Sequence, residues 1–159
     1  MLQFVMGTGI PSELIAWWGS GYSGYSHVDA RLADGSLLGA RSDTAGGQPP
    51  GFRSRPAEYE QWQRRCVVTI PATPAEYVQW EQWLLSQVGV GYDKGDILGL
   101  ILGRPMAQEG HWICSAAQTN ALRVVNKLPT PLPFDEHQIT PNTLLSMTAC
   151  LPGATFAAT

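Results

Sequence analysis

Two residues far apart in the chain have the types and settings that nucleophilic chemistry needs, Cys114 and His27. Cys114 lies in Trp112-Ile113-Cys114-Ser115-Ala116-Ala117-Gln118, a pattern that predicts the first turn of a helix. A thiol there feels the positive end of the backbone dipole and several unpaired N–H groups, and both favour thiolate, the nucleophilic form. His27 lies in Tyr25-Ser26-His27-Val28-Asp29, a predicted strand. An imidazole beside such a thiol can take its proton and later give one to a leaving group. The chemistry is attack on a carbonyl carbon through a thioester, which calls for no metal and no cofactor. The backbone N–H of Cys114 is one expected oxyanion donor. The other thiols and imidazoles are poorer candidates. Cys66 sits in an apolar strand and reads as core, and Cys150 lies near the C-terminus. His111 precedes the helix and reads as surface, while His137 falls in a Phe-Asp-Glu-His loop and reads as solvated.

Positioning two such groups requires a packed body, and the composition supplies one. The 159 residues suit a single domain, with 44% hydrophobic and 14% charged side chains and six tryptophans. A net charge of −3 without any basic run excludes the usual nucleic-acid footprint and a polybasic membrane anchor. The opening run MLQFVMGTGIPSELIAWW lacks a basic start and is interrupted by Pro11 and Glu13, so no secretory signal is expected. The longest later apolar run, Ile97 to Leu102, is far too short to span a bilayer, so no stable membrane insertion is expected. Three widely spaced cysteines fit neither a disulfide framework nor a zinc site, and point to synthesis in a reducing, cytoplasmic compartment.

The elements follow from local pattern. Residues 2–6 read as an apolar strand, and Pro11 to Gly19 as a short helix that leads into a loop rich in glycine and serine. Ser26 to Leu32 and Ser36 to Ser42 read as two strands joined by Asp34-Gly35, a strong hairpin signal that puts His27 on the first arm. Asp43 to Pro56, rich in Gly, Pro and Arg, reads as a loop bordering a site, and Cys66 to Pro71 as a buried strand. Thr73-Pro74-Ala75-Glu76 predicts a capped helix to about Val88, with Tyr77, Trp80, Leu84 and Val88 on one face packing into the core. After the break at Gly89 to Asp93, Asp96 to Gly103 reads as a short helix and Arg104 to Gly110 as a loop. His111 to Leu128 carries the Cys114 helix, with Ala117, Ala121, Val124 and Val125 toward the core. Thr140-Pro141 starts another helix, and Ala154 to Thr159 reads as a last strand or frayed end.

Two segments together carry a resemblance. One is Ser26-His27-Val28-Asp29 with the Asp34-Gly35 turn and Leu37-Leu38-Gly39-Ala40-Arg41. The other is Tyr92-Asp93 and Ile97-Leu98-Gly99 followed by Trp112-Ile113-Cys114-Ser115 and a helix. The chain resembles the NlpC-type papain-like cysteine hydrolases of the circularly permuted branch, in which histidine precedes cysteine, and especially versions from phages and prophages. The likeness runs from about Ser26 to Leu145 and includes Thr140-Pro141-Asn142. It implies an α+β papain-like fold, an antiparallel sheet packed against helices with the cysteine at a helix N-terminus. It implies amide hydrolysis, typically in cell-wall peptide, and an association with virions; relatives of the permuted branch also act on lipid acyl groups, or keep the fold as binding proteins.

The resemblance also suggests roles for further residues. Tyr92 stands ahead of the cysteine, where non-permuted relatives carry an oxyanion tyrosine, though the spacing is longer here. Gln108, six residues before Cys114, matches the oxyanion glutamine of papain-type enzymes. Ser26, Gly39, Arg41, Gln108 and Ser115 are the candidates to line the substrate. Permuted relatives often place a glutamate on the second hairpin arm just before an alanine, but Gly39 precedes Ala40 here. Orientation of His27 therefore falls to Asp29, which shares its strand face, or to Arg41, Ser42, Asp43 or a backbone carbonyl.

Overall fold

A computed structural model describes residues 1–7, 24–95, 97, 106, 108–132 and 135–158. The expected helices at Pro11 to Gly19 and Asp96 to Gly103 fall mainly or wholly outside these residues. Among the described residues the elements are β1 (Leu2–Met6), β2 (His27–Arg31), β3 (Leu37–Arg41), β4 (Gly51–Arg55), β5 (Arg64–Thr69) and α1 (Pro74–Ser86). They continue with β6 (Gly91–Tyr92), β7 (His111–Trp112), α2 (Cys114–Val124), a 3-10 turn (Glu136–Gln138), α3 (Pro141–Ala149) and β8 (Thr155–Ala158). The result is an α+β fold, a six-stranded antiparallel sheet packed against helices.

The sheet runs in the order β4-β3-β2-β1-β5-β8. β1 is apolar at four of its five positions and buried throughout, so it can lie between two partners, β2 and β5. Val5 pairs with His27, and Ala30 pairs with Leu2 on one side and Leu38 on the other, which makes the histidine strand an interior one. The β2–β3 hairpin closes as the Asp-Gly pair predicts. Gly35 takes φ +86°, a conformation costly for other residues, and the Asp34 carboxylate accepts from the Ser36 N–H at 2.9 Å.

One expectation needs correcting. The Gly- and Pro-rich stretch from Asp43 to Pro56 is not all loop, because its last part is β4, paired with β3 from Leu37↔Arg55 to Arg41↔Gly51. Its prolines, Pro49, Pro50 and Pro56, flank the strand and do not interrupt it. Phe52 and Arg55 are both buried.

α1 has the predicted capping box. Thr73 accepts from the Glu76 N–H, and the Glu76 carboxylate accepts from the Thr73 N–H at 2.7 Å. Trp80 and Leu84 bury its inner face, each contributing about 1.5–3 kcal/mol. Val88 lies beyond the helix end and is exposed. α2 is shorter than the His111 to Leu128 span, since His111–Trp112 pairs instead as a strand with Gly91–Tyr92. Its Ala116, Ala117 and Ala121 are fully buried, and such small side chains let the helix backbone approach the sheet. The Gln118 amide donates to the Leu38 carbonyl at 3.0 Å and fixes that approach to the hairpin. The tail does form a strand, β8, on the sheet edge beside β5.

Candidate active site

β2 alternates. Val28 and Ala30 belong to the apolar core, so His27 and Asp29 share the other side of the strand. His27 Nε2 and Asp29 Oδ1 are 2.8 Å apart, and the two side chains are only 12% and 1% exposed. Of the groups that could have oriented the histidine, Asp29 is therefore the one bonded to it. The Cys114 sulfur is among the groups that raise the His27 pKa, which puts thiol and imidazole in one neighbourhood.

Burial opposes charge on His27, but the Asp29 carboxylate and the Cys114 sulfur outweigh it and raise its pKa to about 9. Burial likewise opposes charge on Asp29, yet His27, the Tyr59 hydroxyl and the Arg55 guanidinium hold its carboxyl below the usual range. At neutral pH this favours an imidazolium flanked by a carboxylate and a sulfur.

Cys114 is the first residue of α2 and is 5% exposed. The residue that precedes it, Ile113, sits in an extended conformation and has no side-chain acceptor, so no side chain caps this helix. Thr73 and Thr140 do cap α1 and α3. An isoleucine at an N-cap is locally unfavourable, and it leaves the first-turn N–H groups without a side-chain acceptor.

A Cβ at Gly39 would stand 1.9 Å from Asp29 Oδ1 and 3.0 Å from its Cγ. The carboxylate that reaches His27 from β2 thus fills the space a side chain at position 39 would take.

The remaining predicted residues separate into groups. The Ser26 hydroxyl lies 3.5 Å from both the Val5 carbonyl and the Gly7 N–H, a tie to β1 and the residue after it. Arg41 is paired with Asp43 at 2.8 Å and Glu60 at 2.7 Å, and also donates to the Tyr59 hydroxyl at 3.2 Å. Ser115 is buried beside Cys114 with a hydroxyl that has no protein partner. Tyr92 packs on the core and pairs with Trp112, two residues before the cysteine. Gln108 is exposed, and its backbone N–H is held by the Asp93 carboxylate. It lines a cavity of about 350 Å³ together with Gln87, Val90, His111, Trp112 and His137. His137 is half-buried and stacks on Trp112, with ring planes 11° apart, and is not the solvated loop residue its sequence context predicts. Cys66 is core, and burial raises its thiol pKa; Cys150 is exposed.

The sequence assigns no role to three residues of this network. Tyr59, between β4 and β5, donates to Asp29 Oδ2 at 2.8 Å. Arg55 is 1% exposed and bonds the Gly39 carbonyl at 2.9 Å. Asn142, in the first turn of α3, accepts from the Tyr25 N–H at 2.7 Å and donates to the Tyr25 carbonyl at 3.1 Å, fixing the chain two residues ahead of His27. An ordinary tyrosine in a polar loop and an asparagine after a cap-and-proline start give no hint of these distant partners.

The chain matches no protein-family model, and no curated protein matches it. Among the described residues, no group of three or more His, Cys, Asp and Glu side chains is arranged to hold a metal ion. No helix among them is long and apolar enough to cross a membrane.

Proposed function

We propose that the protein is a cysteine amidase or peptidase that hydrolyses amide bonds in bacterial cell-wall peptide. The observation that carries this reading is the buried Asp29–His27 pair at 2.8 Å, with the Cys114 sulfur, at an uncapped helix start, among the groups acting on that imidazole. The order of histidine before cysteine, and a helix packed on an antiparallel sheet, support a circularly permuted NlpC-type papain-like topology of phage-like origin.

In this mechanism Cys114 Sγ, its proton held by His27, attacks the carbonyl carbon and the carbonyl oxygen takes the negative charge. The Cys114 N–H is the first candidate donor to that oxygen and Tyr92 the second. The C–N bond breaks as the imidazolium gives its proton to the departing amine, leaving a thioester. Water then loses a proton to the neutral imidazole and attacks the thioester, and the thiol takes that proton back as the acid leaves. Asp29 remains ionised throughout and holds the ring.

A cavity of about 350 Å³ lined by Gln87, Gln108, His111, Trp112 and His137 mixes amide, imidazole and indole groups, which suit a polar chain. The test is incubation with purified cell-wall peptide and mass analysis of the products. Cleavage adding one water per bond is expected, and Cys114→Ala should lower it by about a thousandfold or more. Intact peptide after prolonged incubation with the wild-type protein would sink the proposal.

A further inference from the structure

We propose that Tyr59 is a positioning residue for the nucleophile–base pair, holding the Asp29 carboxylate in line with His27 and itself fixed by Arg41. This rests on the reading of Cys114 and His27 as that pair.

The argument begins with hydrogen-bond direction. Arg41 Nη1 lies 3.2 Å from the Tyr59 hydroxyl, and a guanidinium can only donate. The phenol oxygen accepts there, so its single proton is directed to Asp29 Oδ2 at 2.8 Å. Burial and the Asp29 charge raise the phenol pKa far above its ordinary value, so the proton stays on the phenol. Asp29 then accepts at both oxygens, from Tyr59 at Oδ2 and from His27 at Oδ1. That holds the Nε2–H of the imidazole on Asp29. Arg41, Tyr59, Asp29 and His27 form one directional chain.

The ring cannot easily leave its place. The Arg41 and Arg55 guanidiniums lie 5.3 and 5.7 Å from its centroid, and Trp62 meets it edge-on at 5.1 Å. A Cβ on Gly46 would come within 2.7 Å of Tyr59 Cβ, so the backbone opposite is closed against the side chain. Asp29 is almost fully buried, and without the phenol its Oδ2 would lose its hydrogen-bond donor. A carboxylate held at one oxygen can rotate; one held at both has a fixed plane. The charged groups around the pair are Asp29, Cys114 and Asp43 at His27, with His27 and Arg55 at Asp29.

The test is Tyr59→Phe, which removes the hydroxyl and keeps the ring. Two readouts need no substrate: the His27 ring titration followed by NMR, and the rate of Cys114 alkylation by iodoacetamide at pH 7 followed by mass spectrometry. The expected result is a His27 midpoint lowered by about one pH unit, a tenfold change in proton affinity, and alkylation slowed by a similar factor. Arg41→Met should produce smaller shifts in the same direction, because the freed phenol can turn, and Arg41→Lys should restore much of the loss. A tyrosine with a merely structural role would lower the melting temperature and leave the His27 midpoint where it was, which overturns the proposal. If Tyr59→Phe does not fold, an unmoved midpoint in Arg41→Met overturns it equally. Failure to cleave cell-wall peptide would remove the proposed function but leave the midpoint shift in place, so the two failures are distinguishable.

Discussion

At the scale of single residues, the site depends on an absent side chain as much as on the side chains present. Gly39 has an ordinary negative-φ backbone, so alanine is conformationally acceptable there, yet its methyl would overlap the Asp29 carboxylate at 1.9 Å. That carboxylate is pinned at both oxygens and cannot yield as a loose surface chain would. Gly39→Ala is therefore expected to displace Asp29 from His27, cost about 1–3 kcal/mol in a urea melt and slow Cys114 alkylation strongly. An alanine variant with unchanged stability and labelling would show that the carboxylate has another place to go.

Asp29→Asn tests the charge without the volume. The amide keeps the shape but removes the attraction that outweighs burial at His27. The His27 midpoint should drop from about 9 toward its ordinary value of 6.5, since burial pushes it down and only the Cys114 sulfur then opposes that. NMR titration of the His27 ring reads this directly.

At the scale of elements, the site is a junction of three segments from distant parts of the chain. β2 brings His27, α2 brings Cys114, and α3 steadies the entry to β2 through Asn142. Asn142→Ala removes two hydrogen bonds to the Tyr25 backbone and leaves part-buried polar groups unpaired. The expected loss is about 1–3 kcal/mol by denaturant melt, with faster hydrogen exchange at Tyr25 and Ser26. Unaltered exchange there would mean that the β1 pairing alone fixes the strand.

How legible these elements are depends on how local their causes are. The capping box at Thr73, the cap-and-proline start at Thr140 and the Asp34-Gly35 turn act within four residues, and each reads directly from the chain. The Cys114 helix is readable from its small residues and core-facing Ala117, Ala121, Val124 and Val125, although no side chain caps it. β4 escapes because its glycine and prolines suggest a loop, while its pairing partner β3 is what makes it a strand. Tyr59 and Arg55 escape for the same reason: their partner Asp29 is near only after the sheet has formed. Asp29 is readable as an orienter from its two-residue spacing to His27, but the fit of its carboxylate over Gly39 is a property of the register between strands.

At the scale of the whole molecule, one coupled pair links stability to pH. His27 has its pKa raised from 6.5 to about 9 in the folded state. A group with a raised folded pKa contributes its full stabilisation below the unfolded value and loses it as pH rises through the folded one. Between pH 6.5 and 9 the folded chain therefore holds a proton that the unfolded chain has released, and stability declines across that window. The fall approaches 1.4 kcal/mol per pH unit at its steepest, about 3 kcal/mol in all. Asp29 has a depressed pKa, so its contribution is present above the unfolded value near 3.8 and is lost as pH falls through the folded one. Both shifts describe one interaction, so its stabilisation is greatest between these limits, near pH 5 to 6 on this arithmetic. The clean measurement is the difference in unfolding free energy between the wild type and His27→Gln, taken from pH 5 to pH 10, because groups unaffected by the substitution cancel in it. The difference should shrink steadily from pH 6.5 to 9 and level off beyond. A difference that stays constant with pH would mean that His27 is not held as an imidazolium in the fold. Under the proposed function the same ionisation sets the upper limit of the chemistry, because a neutral imidazole has no proton for the departing amine. Hydrolysis by that mechanism should persist to about pH 9, through a range where the protein is already losing stability, and the two profiles should separate on the alkaline side.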